Sequence, residues 1–221
     1  MPPLGVVLLS HLLRVDTPAF AEREGLRILP NKEIKSGATT NNYTLMLPCH
    51  LGSHIDSPRH YYDTAKAPSD YDFSQYVFER PLLLEIAKGP GELIQEDDLK
   101  SHQKPLEDSD VALIRTGFQS YRETAPKKYI WDSPGLSSAA AKYLCGFRKL
   151  RALGIDAISI TSPRHQAEGE EAHRILLRSG DFFIIEDMNL SNYRSDLNRV
   201  IVAPLLVAGI DSAPCTIIAE Y

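Results

Sequence analysis

The sequence predicts a mixed α/β fold with a sheet or barrel-like core, and three observations predict it. Apolar runs of strand length recur along the chain, broken by Gly, Pro and Asp. Two segments carry helix start and stop signals. The composition, 43% hydrophobic and 24% charged over 221 residues, is that of an ordinary globular protein. No repeat, low-complexity stretch or linker interrupts it, so residues 1–221 read as a single domain.

"GVVLLSHLL" (5–13) reads as the first strand, with a turn at "DTP". The Ala-Phe-Ala triplet after this run resembles a leader-peptide cleavage site. However, no Lys or Arg precedes the run, and Ser10 and His11 interrupt it. "NNYTLMLP" (41–48), "RPLLLEIA" (80–87) and "SDVALIRTGF" (109–118) are further strands, and "DLKSHQ" (98–103) is a short helix candidate. The clearest helix is "SSAAAKYLCGFRKLRALG" (137–154), with Ser137 as its cap, helix-favouring alanines and Gly154 as its stop. "IDAISI" (155–160) follows as a strand. "EGEEAHRILLRSG" (168–180) is a second helix, with acids in its first turn and Gly180 beyond its end. "DFFIIE" (181–186) is a strand, "VIVAPLLVAGID" (200–211) gives one or two more, and "PCTIIAEY" closes the chain. The expectation is many strands with two or three helices.

Composition excludes some functions. A net charge of -5 without a dense basic block argues against nucleic acid as a partner. The nearest basic stretch, "RETAPKK" (122–128), reads as a solvated loop. No run reaches the roughly 18 apolar residues of a membrane span. Cys49, Cys145 and Cys215 are odd in number and widely spaced, which points to free thiols in a reducing compartment and a cytoplasmic protein. No nucleophile elbow or glycine-rich phosphate loop is present.

"CHLGSHIDSPRH" (49–60) holds three of the chain's 7 histidines. In a helix His50 and His54 would share a face but Asp56 would not, and Gly52 and Pro58 disfavour a helix interior. In a strand the even-numbered residues 50, 54, 56 and 60 share one face. A straight strand would separate His50 from Asp56 by roughly 20 Å, at about 3.3 Å per residue. A metal–ligand bond is only about 2 Å long, so a metal site requires the segment to curl. Gly52 supplies the freedom to curl and Pro58 fixes the exit. Imidazoles with a carboxylate suit zinc, manganese or iron. Asp56, with two oxygens, could bridge two ions, and Ser53 and Ser57 could support the ligands. A chance run of surface histidines is the bland alternative.

The stretch "HLGSHIDSPRH" closely resembles the H-x-G-T-H-x-D-x-P-x-H motif of the metal-dependent cyclase family, which includes bacterial kynurenine formamidases and isatin hydrolases. Six of its seven fixed positions are kept, and Ser53 retains the hydroxyl of the seventh. "LLSHLLRVDTPAF", "ALIRTGF", "SPGLSSAAAKYL", "LGIDAISI", "AHRILLRSGDFFIIEDMNL" and "APLLVAGIDSAPCTIIA" resemble further family segments, so the resemblance spans most of the chain. It implies a mixed α/β domain of the swivelling β/α type with a barrel-like β core, assembled as a homodimer or homotetramer. It implies that His50, His54 and Asp56 hold one divalent metal, and that Asp56, His173 and Glu186 hold a second. His60 would be the catalytic acid/base. His165, in "SPRHQ", is a rival to His173, which better matches the family's helix pattern. Zinc is the first expectation, manganese the second, with two ions per chain.

The implied chemistry is hydrolysis of a formamide or cyclic amide, with arylformamidase activity on N-formylkynurenine as the first reading. Isatin hydrolase-like lactam opening, a metal-dependent isomerase or dehydratase, and a non-catalytic metal-binding protein are the alternatives. Phe20, Tyr61, Tyr62 and Trp131 are aromatic candidates for a substrate pocket, and nothing in the sequence ranks them.

Overall fold

A strand in the middle of a parallel sheet is covered on both faces and must be apolar on both. "VALI" at 111–114 is such a run, and all four side chains are fully buried. The structure, a computed structural model, describes residues 5–191 and 197–221. Its strands are β1 (Val6–Leu8), β2 (Arg27–Lys32), β3 (Asn42–Met46), β4 (His54–Asp56), β5 (Val77–Phe78), β6 (Pro81–Glu85), β7 (Leu93–Ile94), β8 (Val111–Arg115), β9 (Gly135–Leu136), β10 (Ala152–Ile155), β11 (Phe183–Glu186), β12 (Arg199–Pro204) and β13 (Ser212–Glu220). The helices are α1 (Glu96–Lys100), α2 (Gln103–Asp108), α3 (Tyr121–Thr124), α4 (Pro126–Trp131), α5 (Ser138–Leu144) and α6 (Gln166–Leu177).

One mixed sheet runs in the order β5-β12-β13-β4-β11-β10-β8-β6, with β1 paired to β13. The β6, β8, β10 and β11 half is parallel. β4 is antiparallel to both β11 and β13, and so joins the parallel half to the antiparallel one. The architecture is the expected α/β class with a nearly closed, barrel-like sheet and short helices. Side chains alternate across the sheet with period two. Ile184, Leu153 and Ile155 pack on one face with Ala140, Leu144, Ala172 and Leu176 of α5 and α6. Ile55, Phe183 and Ile185 pack on the other with Tyr76, Phe78, Val202 and Ile217. Each such buried Leu, Ile, Val or Phe side chain contributes roughly 1.5–3 kcal/mol. His54 and Asp56 flank Ile55 on β4, and therefore project to the face that α6 covers.

Several expectations are corrected. The helix expected over 137–154 ends at Leu144: Ser137 does cap it, accepting from Ala140 N, but Ala152–Ile155 form β10 between β8 and β11. Burial of Leu153 and Ile155 in the sheet overrides the helical pattern. The strand expected at 155–160 is thereby displaced, and 156–160 is irregular. The first strand is shorter than read, Val6–Leu8, followed by an isolated bridge from Ser10 to Met188. "DLKSHQ" divides between α1 and α2. The described residues hold six α-helices rather than two or three. "RETAPKK" is not a solvated loop: it falls within α3 and α4, and Arg122 is 3% exposed.

Candidate metal centre

The curl that the sequence demands lies just ahead of β4. Gly52 has φ +69, and a Cβ there would run into the Leu13 side chain. Only glycine suits that conformation in that space. The turn brings His50 back over β4, so that His50 Nδ1 lies 3.1 Å from Asp56 Oδ1. His54 Nε2 lies 3.6 Å from the same oxygen.

Strand register supplies Glu186. In the antiparallel β4–β11 pair Glu186 faces His54, so both side chains share one face. Glu186 Oε2 is 3.3 Å from His54 Nε2, and Oε1 accepts from Ser159 Oγ at 2.9 Å and Ile160 N at 2.7 Å. The irregular 156–160 segment thus fixes the carboxylate. α6 supplies His173, whose Nε2 lies 3.7 Å from Asp56 Oδ2 and 3.4 Å from Glu186 Oε1. Gly169 lets the helix approach, since a Cβ there would stand 2.5 Å from Thr161. His165 lies exposed ahead of α6 and does not line this cleft, so His173 is the histidine brought to the cluster.

The tautomers follow from second partners. His54 Nδ1–H donates to the Gly52 carbonyl at 2.8 Å, and His173 Nδ1–H donates to the Gly169 carbonyl at 2.9 Å. In both rings Nε2 is the nitrogen turned to the centre. Both Asp56 oxygens and His54 Nε2 are buried without a hydrogen-bond partner among the described residues. Such groups are costly unless something compensates them. Two ligands each about 2 Å from a tetrahedral cation stand about 3.4 Å apart, which is the spacing seen here. The residues therefore fit a divalent cation. Asp56 Oδ1 faces His50 and His54 while Oδ2 faces His173, the disposition a bridging carboxylate requires.

The electrostatics agree. Burial raises the Asp56 pKa, but the charges of His50 and His54, with the His173 and His50 rings in close polar contact, outweigh it and leave the group well below the usual range. Burial likewise opposes ionisation of Glu186, yet its close polar contacts with the His173 and His54 rings bring it to about 2. Burial lowers the imidazoles, but Asp56 and Asp211 lift His50 to about 11, and Asp56 and Glu186 lift His173 to about 10. The buried carboxylates demand positive charge, which protons on the imidazoles supply when no cation does.

His60 lies at the end of a 3₁₀ turn, Pro58–His60, and its Nδ1 is bonded to Asp211 Oδ2 at 2.7 Å. Its ring centroid is 4.4 Å from that of His50 and 5.9 Å from that of His173. Asp211 was not singled out by the sequence. It also takes His50 Nε2 at 2.9 Å, and these two bonds hold its carboxyl far below the usual range. Ser53 and Ser57 do not bond the candidate ligand side chains as expected, but tie neighbouring segments together through main-chain carbonyls. Ser53 Oγ donates to the Asp187 carbonyl, and Ser57 Oγ to the Asp211 carbonyl. Asp187, next to Glu186, has φ +50 and is gripped by Arg122 Nη2 at 2.7 Å and Tyr129 Oη at 2.6 Å.

The cluster forms the floor of a cleft of about 210 Å³ whose walls include Phe20, Tyr61 and Ile158, with Arg23, Gln166 and Glu170 as further lining residues. Tyr61 stacks on His173 with centroids 5.3 Å apart. Of the four aromatic candidates, Phe20 and Tyr61 line this cleft. Tyr62 instead bonds the Arg174 carbonyl, and Trp131 is 44% exposed and not among the lining residues.

The putative cyclase family model matches residues 7–162, which include the whole histidine segment. The chain belongs to this putative cyclase family. Among relatives of this cyclase-family chain, a kynurenine formamidase of Sphingopyxis alaskensis is 24% identical over 209 residues, covering 93% of each chain. Cyclase-like protein 2 of Arabidopsis thaliana is 26% identical over 212 residues, covering 93% of this chain and 75% of the relative. Among solved structures, an isatin hydrolase bound to the product analogue thioisatinate superposes with TM-score 0.83 at 18% identity, covering 99% of this chain and 92% of that one. A predicted metal-dependent hydrolase from Bacillus stearothermophilus gives 0.78 at 20% identity, covering 98% of both chains. At these identities the structural matches speak for the cyclase fold alone.

Proposed function

We propose that this cyclase-family protein is a metal-dependent hydrolase that cleaves the C–N bond of a formamide or cyclic amide, with an aryl formamide as the first substrate. The observation that carries the reading is Asp56, whose two partnerless buried oxygens each face a different set of imidazoles. His50, His54 and Asp56 would hold one divalent cation, and Asp56, His173 and Glu186 a second, zinc before manganese. Such a cation supplies Lewis acidity and lowers the pKa of water toward neutrality. His60, with Nδ1 committed to Asp211, would take a proton from the attacking water on Nε2 and pass it to the leaving nitrogen. Phe20, Tyr61 and Ile158 offer apolar walls for a planar ring and help exclude water. The formamidase relative, aligned along nearly the whole chain, supports the formamide reading, and lactam opening at the same centre is the second.

We further propose that the protein is cytoplasmic and works as a homodimer or homotetramer. Its three free cysteines fit a reducing compartment. The β2–β3 hairpin leaves Ile28, Tyr43, Leu45 and Met46 exposed, and Leu12 and Leu205 are exposed as well, which suits burial against a second copy. Purified protein of measured metal content, offered a panel of formamides, lactams and esters, tests the hydrolase reading. Turnover of a formamide or lactam is expected. Water elimination or isomerisation without hydrolysis would replace the reading with a dehydratase or isomerase, and no turnover at full metal loading would leave a metal-binding protein.

A further inference from the structure

Asp211 comes from the turn between β12 and β13, far from the histidine segment in sequence, yet that segment grips it at four points. Its Oδ2 lies 2.7 Å from His60 Nδ1 and 2.9 Å from His50 Nε2. Its backbone carbonyl accepts from Ser57 N at 3.1 Å and from Ser57 Oγ at 2.8 Å. The main-chain bonds fix where the carboxylate stands, and the side-chain bonds fix two imidazoles on one oxygen.

An ionised carboxylate only accepts hydrogen bonds, so each ring must present an N–H to it. That places the proton of neutral His60 on Nδ1 and leaves Nε2 to the cleft that the ring lines. Without Asp211 the ring could rotate or take the other tautomer, because no other hydrogen bond of His60 ring nitrogens is present among the described residues. The shared oxygen also ties His60 to His50, so the proposed acid/base keeps its register with the proposed metal ligands.

We propose that Asp211 is the positioning residue of the site, holding His60 in the tautomer and orientation that aim Nε2 at the substrate. This rests on the reading of His60 as the acid/base of a hydrolase. Asp211→Ala should keep the parent's metal content and KM and lose roughly 10- to 100-fold in kcat, the usual scale for removing a residue that orients a functional imidazole. Asp211→Asn keeps an accepting oxygen and should retain more kcat than Asp211→Ala. In the double variant with His60→Ala, loss of Asp211 should add little, because the two act as a unit.

A readout independent of turnover is the ring proton of His60 in histidine-labelled protein by NMR. A hydrogen-bonded Nδ1–H should appear far downfield in the parent, and should disappear in both Asp211→Ala and His60→Ala while circular dichroism remains that of the parent. If Asp211→Ala keeps both that signal and the parent's kcat, the proposal fails. It also fails if Asp211→Ala cannot be loaded to the parent's metal content at saturating zinc, since Asp211 then serves the metal site directly or through His50 and not His60 alone. If the parent hydrolyses no amide, the hydrolase reading fails, and the ring-proton signal still decides whether Asp211 holds His60.

Discussion

Glu186 on β11 stands directly across from His54 on β4, and its Oε2 lies 3.3 Å from His54 Nε2. This cross-strand pair joins two segments that the chain separates by more than half its length. Asp56, two residues along β4, points the same way and meets His173 from α6. One short strand thus gathers both halves of the centre.

The first prediction concerns metal count. Asp56→Asn keeps size but removes the charge that offsets repulsion between two adjacent cations. It should lose at least one metal per chain, whereas His173→Ala should lose only the second. Metal-to-protein ratios of both variants and the parent check this. Retention of the full complement by Asp56→Asn would rule out an essential bridge.

The second concerns His60. It bonds Asp211 rather than Asp56, and it stands beside the candidate ligands. His60→Ala should keep most of the metal and lose roughly 10²-fold or more in turnover, the scale for a general acid/base. A collapse in metal content would make His60 a ligand instead.

The third concerns pH. In the metal-free protein the His50 and His173 pKa values stand at about 11 and about 10, above the ordinary 6.5. A cation must displace those protons, so binding releases protons and tightens as pH rises, by up to about tenfold per unit for each proton displaced. The metal-free fold behaves oppositely. Stability from charged His173 is full below pH 6.5 and is lost as pH rises through about 10. Stability from Glu186 is present above pH 4.5 and is lost as pH falls through about 2. Zinc titration calorimetry in buffers of different ionisation enthalpy should show proton release, and the gap in melting temperature between loaded and metal-free protein should widen from pH 6.5 to 9.

The fourth concerns Arg122. Its guanidinium is buried against Asp187, which has φ +50 immediately after Glu186. Arg122→Ala leaves a buried carboxylate without its cation and should cost roughly 3–5 kcal/mol. Urea unfolding measures the loss, and weaker metal retention should accompany it, since Asp187 sets the exit of β11. A loss under 1 kcal/mol would contradict this role for the pair.

His50, His54, Asp56 and His60 were legible because they are local: residue type, even spacing, Gly52 and Pro58 all lie in one segment. His173 and Glu186 were legible only through family resemblance, since a lone histidine on a helix and a glutamate ending a strand are ordinary surface features. Asp211 gave no signal of its own. It follows an apolar run in "GIDSAP", and only the β12–β13 turn brings it to His60. Arg122 was misread because a charged segment is usually solvated, and its burial depends on Asp187 reaching it from the bend that follows β11. The helix boundary at 144 failed for a similar reason: sheet pairing of Ala152–Ile155 outweighs local propensity.

If the cluster around Asp56 holds metal, both activity and stability depend on it. The most direct measurement follows metal content, amide hydrolysis and melting temperature of one preparation before and after exhaustive chelation, and again after zinc or manganese is returned. Chelation should remove the metal, abolish hydrolysis and lower the melting temperature, because a cation bound only by the folded state stabilises it by mass action, and returning metal should restore all three. Full activity with an unchanged melting temperature in the metal-free protein would show that neither depends on a metal at Asp56.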